Sequence, residues 1–179
     1  MLLLLYGAGL RIGEALSLTI DDIDLHQAYL HIIETKFFKS RLVPIGKDLN
    51  GVMTEYVLNG KRCHMFPAKA PLFSFYDGSP LSKSAARNAF RRLRSHAGVL
   101  REGGPRRQPR LHDLRHTAAV HRLIAWYRSG EDLQKLLPKL ATYLGHVDLS
   151  STQCYLTMTP ELLQQAGLRF EQYAFGEKL

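Results

Sequence analysis

Apolar residues recur along most of this chain at intervals of three and four, and only one stretch near the N-terminus alternates instead. The opening "MLLLLYGAGL" predicts a buried helix that stops at Tyr6 and Gly7. It has no basic leader region and is too short to span a bilayer, so it reads as a truncated core helix and suggests a chain that begins inside a longer architecture. "RIGEALSLTIDDIDL" places Ile12, Ala15 and Leu16 at helical spacing before an acidic turn. "AYLHIIE" and "SRLVPI" alternate and are rich in β-branched residues, which predicts a β-hairpin with "TKFFKS" in its loop, closed by Pro44 and Gly46. Helical periodicity returns in "KDLNGVMTEYVLNGKR", and "PLFSFYDGSPLS" reads as a strand or extended piece with an Asp-Gly turn.

Three more helices are expected at 82–97, 111–128 and 131–143, the first two separated by the polar loop "REGGPRRQPR" and the third ended by Gly145. A short helix around "SSTQCYL" is expected to be capped by Ser151 or Thr152. The final helix, "TPELLQQAGLRFEQYAF", has Thr159 as cap, Pro160 at its first position, and an apolar stripe of Leu162, Leu163, Ala166, Phe170 and Tyr173. The fold class is therefore mainly α with a small antiparallel β-sheet, an α+β domain over residues 1–179.

Charge sharpens this picture. The chain carries a net charge of +8, but not evenly: Lys83 to Arg122 contains eleven basic residues against Glu102 and Asp113, and the remainder is close to neutral. A basic stretch containing "RRLR" and "GGPRRQPR" is the footprint expected for a polyanion, with Arg106, Arg107 and Arg110 as its contacts. Nucleic acid is favoured over an anionic membrane, because no basic helix with a bulky apolar face is present. Cys63 and Cys154 are too few for a disulfide framework, and a cytosolic setting follows.

Four separated pieces carry the unusual chemistry: "GAGLRIGEALSL" with Arg11 and Glu14, "TKFFKSRLVPI" with Lys36 and Lys39, "LHDLRHT" with His112 and Arg115, and "LGHVDLSSTQCYL" with His146 and Tyr155. Each alone has an ordinary explanation. Arg11 and Glu14 could be a helix-surface ion pair. His112, His116 and His121 could be metal ligands, although Arg115 interrupts them and no HExxH glutamate is present. His146 could merely cap the helix ending at Gly145. Taken together in this order, with His146 nine residues before Tyr155, the pieces resemble the tyrosine recombinase (phage integrase) family over Arg11 to Tyr155, about the whole of its catalytic domain.

The resemblance implies a site-specific recombinase or integrase that breaks and rejoins duplex DNA through a 3′-phosphotyrosyl intermediate, with no metal and no other cofactor. Phosphodiester cleavage builds negative charge on the non-bridging oxygens, and preorganised cations aimed there are the largest catalytic contribution available. Arg11 and Arg115 would supply them, each a planar fork that matches two phosphate oxygens. Tyr155 would be the nucleophile; a phenol with an ordinary pKa of about 10 needs a positive field and a proton acceptor, here His112. His146 would bond the scissile phosphate, and a hairpin lysine would protonate the departing 5′-oxygen. Counting back from "RLVP" makes that lysine Lys36, with Lys39 as the alternative, because "TKFFKSR" lacks the glycines usual in this loop. Lys39, Arg41 and the three loop arginines would contact DNA. Glu14 itself reads as structural, an orienter for Arg11 or a capping partner, and His116 as a packed histidine behind the site.

The same resemblance implies a homotetramer on paired DNA sites in which the last helix docks into a neighbouring subunit; in the free protein, expected as a monomer, that helix could equally pack back on its own domain. It implies a cytoplasmic protein associated with the bacterial nucleoid, not with a membrane. Relatives usually place a helical core-binding domain before this one, and the chain is expected to lack it. The rival expectation is a noncatalytic DNA-binding module that has kept the fold.

Overall fold

The computed structural model of the chain describes residues 1–33, 40–59, 69–146, 148 and 150–157, together with residues 164, 167, 168, 170, 171, 174 and 175. These fall into two compact units, Met1–Arg115 and His116–Leu179.

In the first unit the opening apolar run forms α1 (Leu2–Gly7), with Leu4 and Leu5 each 1% exposed, and α2 (Ile12–Ser17) follows. The alternating stretch forms the expected hairpin, β2 (Tyr29–Ile32) antiparallel to β3 (Arg41–Pro44), in the register Leu30 to Val43 and Ile32 to Arg41. Leu30, Ile32 and Val43 point into the core, which is what the period of two requires. A strand before this hairpin was not expected. Asp22 Oδ2 accepts from the backbone N–H of Thr19 at 2.8 Å and from its hydroxyl at 2.7 Å, closing a 3₁₀ turn over Ile20–Asp22. The chain leaves that turn extended as β1 (Ile23–Asp24) and pairs antiparallel with β2, beyond the acidic turn that the sequence predicts.

After β3 comes α3 (Lys47–Thr54), which widens into a π-helical turn at Glu55–Asn59. "PLFSFYDGSPLS" contributes no strand to the sheet. It makes single bridges, Thr19 to Pro71 and Ser74 to Pro80, around a turn where the Asp77 carboxylate accepts from the N–H and hydroxyl of Ser79. The Ser82 hydroxyl accepts from the N–H of Ala85 at 3.1 Å and starts α4 (Lys83–His96).

α5 occupies Leu111–Arg128, the span expected from its periodicity, and passes from the first unit into the second. In the second unit, Asp132 caps α6 (Leu133–Leu144) by accepting from the N–H groups of Gln134 and Lys135. Gly145 ends that helix at φ 68°, a left-handed conformation that a side chain would strain, so that its N–H reaches Thr142 O and the N–H of His146 reaches Ala141 O. α7 (Ser150–Thr157) corrects one expectation: Ser151 and Thr152 lie inside the helix, and the Asp148 carboxylate takes the N–H of Ser151 instead.

Of the expected last helix, Thr159, Pro160, Leu162, Leu163, Ala166 and Tyr173 lie outside the described residues, whereas Phe170 is helical and exposed. Among the described residues no helix is long and apolar enough to cross a membrane.

The second unit is built on Leu123, Leu137, Leu140 and Leu144 around the ring of Tyr155. Leu123 is 0% exposed, and Leu123→Ala should cost about 2–5 kcal/mol of unfolding free energy by leaving a cavity the neighbours cannot refill. Urea titration measures this, and a loss below about 1 kcal/mol would mean the site collapses freely.

Candidate active site

Arg11 stands at the N-cap of α2, the point at which that helix leaves backbone N–H groups without intrahelical partners. Glu14, in the first turn, answers this need: its Oε2 accepts from the Arg11 backbone N–H at 2.9 Å, and its Oε1 accepts from Arg11 Nη1 at 2.8 Å. The same carboxylate takes a second guanidinium in a bidentate grip, Arg41 Nη1 to Oε1 at 3.1 Å and Arg41 Nη2 to Oε2 at 3.0 Å. Side-chain exposure decides how these groups differ: 7% for Glu14, 12% for Arg41 and 36% for Arg11. Glu14 and Arg41 thus form a mostly buried ion pair, and Arg11 keeps a face toward solvent. Burial pushes the Glu14 carboxyl toward neutrality, but the hydrogen bonds from Arg41 and from the Arg11 backbone, with the Arg41 charge, together outweigh it and hold its pKa below the ordinary value.

His112 and Arg115 share the first turns of α5 three residues apart, yet their burial differs. His112 is exposed and Arg115 is 1% exposed. Arg115 falls in the stripe of Leu111, Ala119 and Leu123 at intervals of four, so it points inward where an apolar residue would be ordinary. Its Nη1 donates to the carbonyl of Gly9 at 2.6 Å, a charge-assisted bond to the segment just before Arg11. Lys36 and Lys39, the candidates for the hairpin acid, lie outside the described residues.

The basic loop has more internal order than its composition suggests. The side-chain amide of Gln108 accepts from the N–H of Arg101 at 3.1 Å and donates to the carbonyls of Arg101 and Gly104 at 2.6 and 3.2 Å. Gly103 has φ 98°, and a Cβ there would fall 2.5 Å from Arg107 Cδ, so glycine lets the arginine fold back over the turn. Arg106, Arg107 and Arg110 are exposed, and Arg110 pairs with Asp113 at 3.4 Å.

In the second unit Tyr155 is 3% exposed. The ring of His146 stacks on it at 6.1 Å and 27°, and the ring of His116 meets it edge-on at 5.4 Å and 64°. His146 Nδ1 lies 2.7 Å from the hydroxyl of Thr152, which is 0% exposed. The structure thus joins Arg11 to Arg41 in one unit and His146 to Tyr155 in the other. Among the described residues no group of three His, Cys, Asp or Glu side chains is placed to hold a metal ion.

Residues 1–161 match the phage integrase family. The chain belongs to that family. Across 170 residues it is 41% identical to y4rB of Sinorhizobium fredii, an integrase/recombinase by name, covering 94% of this chain and 54% of that protein. It is 31% identical over 178 residues to the tyrosine recombinase XerC of Bacillus subtilis, covering 98% and 54%. The chain therefore spans about half the length of these phage integrase relatives. Its fold is also that of the Tn1549 transposon integrase, whose structure was solved with a circular intermediate DNA; the TM-score is 0.70 at 20% identity, covering 96% of this chain and 57% of that one.

Three residues near this chemistry were missed in the sequence. Thr152 reads there as a cap, and Gln108 as one polar residue in a polar loop. Lys83 gives no signal beyond its charge, although its Nζ lies 3.4 Å from where a Cβ on Gly13 would be, against the first turn of α2.

Because the folded pKa of Glu14 lies below its unfolded value of about 4.3, the ionised carboxylate contributes stability above that pH and loses it as pH falls through the folded value. Glu14→Gln should then lower unfolding free energy by about 2 kcal/mol at pH 7. The gap from wild type should narrow as pH falls below about 4.3, and urea titrations through the acid range that show a constant gap would overturn this.

Proposed function

We propose that this chain is the catalytic domain of a site-specific DNA recombinase that cuts and rejoins duplex DNA through a tyrosine. The observation that carries this reading is the packing of Tyr155 against the rings of both His146 and His116, in a family member that also holds Arg11 by a buried carboxylate. Tyr155 Oη attacks the scissile phosphorus, and the bond to the 5′-oxygen breaks. His112 accepts the phenol proton, Lys36 gives a proton to the departing oxygen, and the 3′-phosphotyrosyl ester keeps the bond energy for resealing. Arg11 and Arg115 offset the charge on the non-bridging oxygens, and His146 donates a hydrogen bond to them. The buried partners of the two arginines support this role, since Glu14 and the Gly9 carbonyl fix them before any phosphate arrives.

The partner is duplex DNA, held along its backbone by Arg106, Arg107 and Arg110 together with Lys39, in a homotetramer on paired sites at the nucleoid; Arg41, expected as a further DNA contact, is instead taken up by Glu14 at 12% exposure. That the described loop already presents exposed arginines on a Gln108-organised turn supports the backbone contact.

A nicked suicide duplex tests the reaction. The wild-type chain should form a protease-sensitive covalent adduct that persists in excess EDTA, and Tyr155→Phe should form none while binding DNA with nearly unchanged affinity. Adduct in that variant would place the nucleophile elsewhere; activity lost to EDTA and restored by a divalent ion would overturn the arginine mechanism. Binding without any adduct from the wild-type chain would favour the noncatalytic module. Neutralising Arg106, Arg107 and Arg110 together should flatten the slope of log K against log salt by up to about 0.9 for each phosphate no longer neutralised, and an unchanged slope would put the loop away from DNA.

A further inference from the structure

Thr152 lies in the first turn of α7, inside the helix rather than at its cap, and the Asp148 carboxylate takes the N–H of Ser151. The threonine side chain is instead fully buried, with Oγ1 2.7 Å from His146 Nδ1. A buried hydroxyl must find a partner, and a β-branched side chain on a helix holds its hydroxyl in few orientations. Thr152 also stands three residues before Tyr155 on the same helix, so both share a face. The His146 ring is therefore held by Thr152 at Nδ1, by the Tyr155 ring across its plane, and at the backbone by the N–H bond to Ala141 O that follows Gly145.

We propose that Thr152 is a positioning residue for His146: its hydroxyl donates to Nδ1 and thereby keeps the ring proton on Nε2, the nitrogen that donates to the phosphate. A neutral imidazole has one donor and one acceptor nitrogen, and the partner of one decides which carries the proton. With the opposite arrangement, Nδ1–H donating to the threonine oxygen, Nε2 of a neutral ring could only accept and would repel a phosphate oxygen. The inference rests on the reading of His146 as a phosphate donor, but the bond itself can be tested without DNA.

The experiment uses the full chain labelled with ¹⁵N. Long-range ¹H–¹⁵N spectra of the histidine rings, assigned with His146→Gln, should show neutral wild-type His146 protonated at Nε2. Thr152→Ser should keep that tautomer, and Thr152→Val should give a mixture. On the suicide duplex, Thr152→Val should form adduct about tenfold more slowly, the scale of one hydrogen bond, with Thr152→Ser restoring the rate. A wild-type ring protonated at Nδ1 overturns the proposal even if the valine variant does not fold. So does a folded Thr152→Val with the wild-type tautomer and rate. A wild-type chain that shows the Nε2 tautomer, with a mixture in Thr152→Val, but forms no adduct overturns the recombinase reading and leaves the Thr152 bond established.

Discussion

The carboxylate of Glu14 ties together the parts of the first unit on which the proposed chemistry depends. Four donors converge on its two oxygens, from the backbone and side chain of Arg11 and from both terminal nitrogens of Arg41. The start of α2 and the strand β3 are thereby fixed to one anion, although Arg11 and Arg41 stand thirty positions apart in the sequence. Cations proposed to meet a phosphate face a conflicting demand: they must be held still, yet not neutralised by what holds them. One carboxylate shared by two guanidinium groups meets it, since the cluster keeps a net positive charge while the anion is fully bonded. Arg115 meets it differently, with a neutral backbone carbonyl as its holder.

Periodicity made the local elements legible, because β2, β3 and α5 are decided by which residues face the core. It failed where a single side chain redirects the backbone. The bonds from Thr19 to Asp22 turn an acidic loop into the lead-in to β1, and no apolar pattern announces a strand of two residues. "PLFSFYDGSPLS", expected as a strand or extended piece with an Asp-Gly turn, is the extended piece: it bridges at Thr19–Pro71 and Ser74–Pro80 around the turn at Asp77 and builds no continuous ladder.

The candidate site was legible by another route, through the order and spacing of Arg11, His112, Arg115, His146 and Tyr155. What that pattern could not show is who holds each of them. Glu14 was visible because it is local, three residues from Arg11. Arg41 was read only as a DNA contact, because its bond to Glu14 spans a hairpin. The Thr152 hydroxyl was assigned to the helix end because Asp148 was not weighed as the alternative cap, and only geometry separates the two uses of one side chain.

Tyr155 has a place in the interior of its unit as well as in the proposed reaction, packed among Leu123, Leu137, Leu140 and Leu144. A copy of this gene that drifted free of selection for DNA cleavage would still be under pressure to keep a large ring at that position, since an alanine there would open the core. The hydroxyl carries no such protection, because phenylalanine fills nearly the same volume. Decay of the enzyme should therefore leave an aromatic fossil, and among diverged copies it is the oxygen at position 155, rather than the ring, that separates working descendants from retired ones.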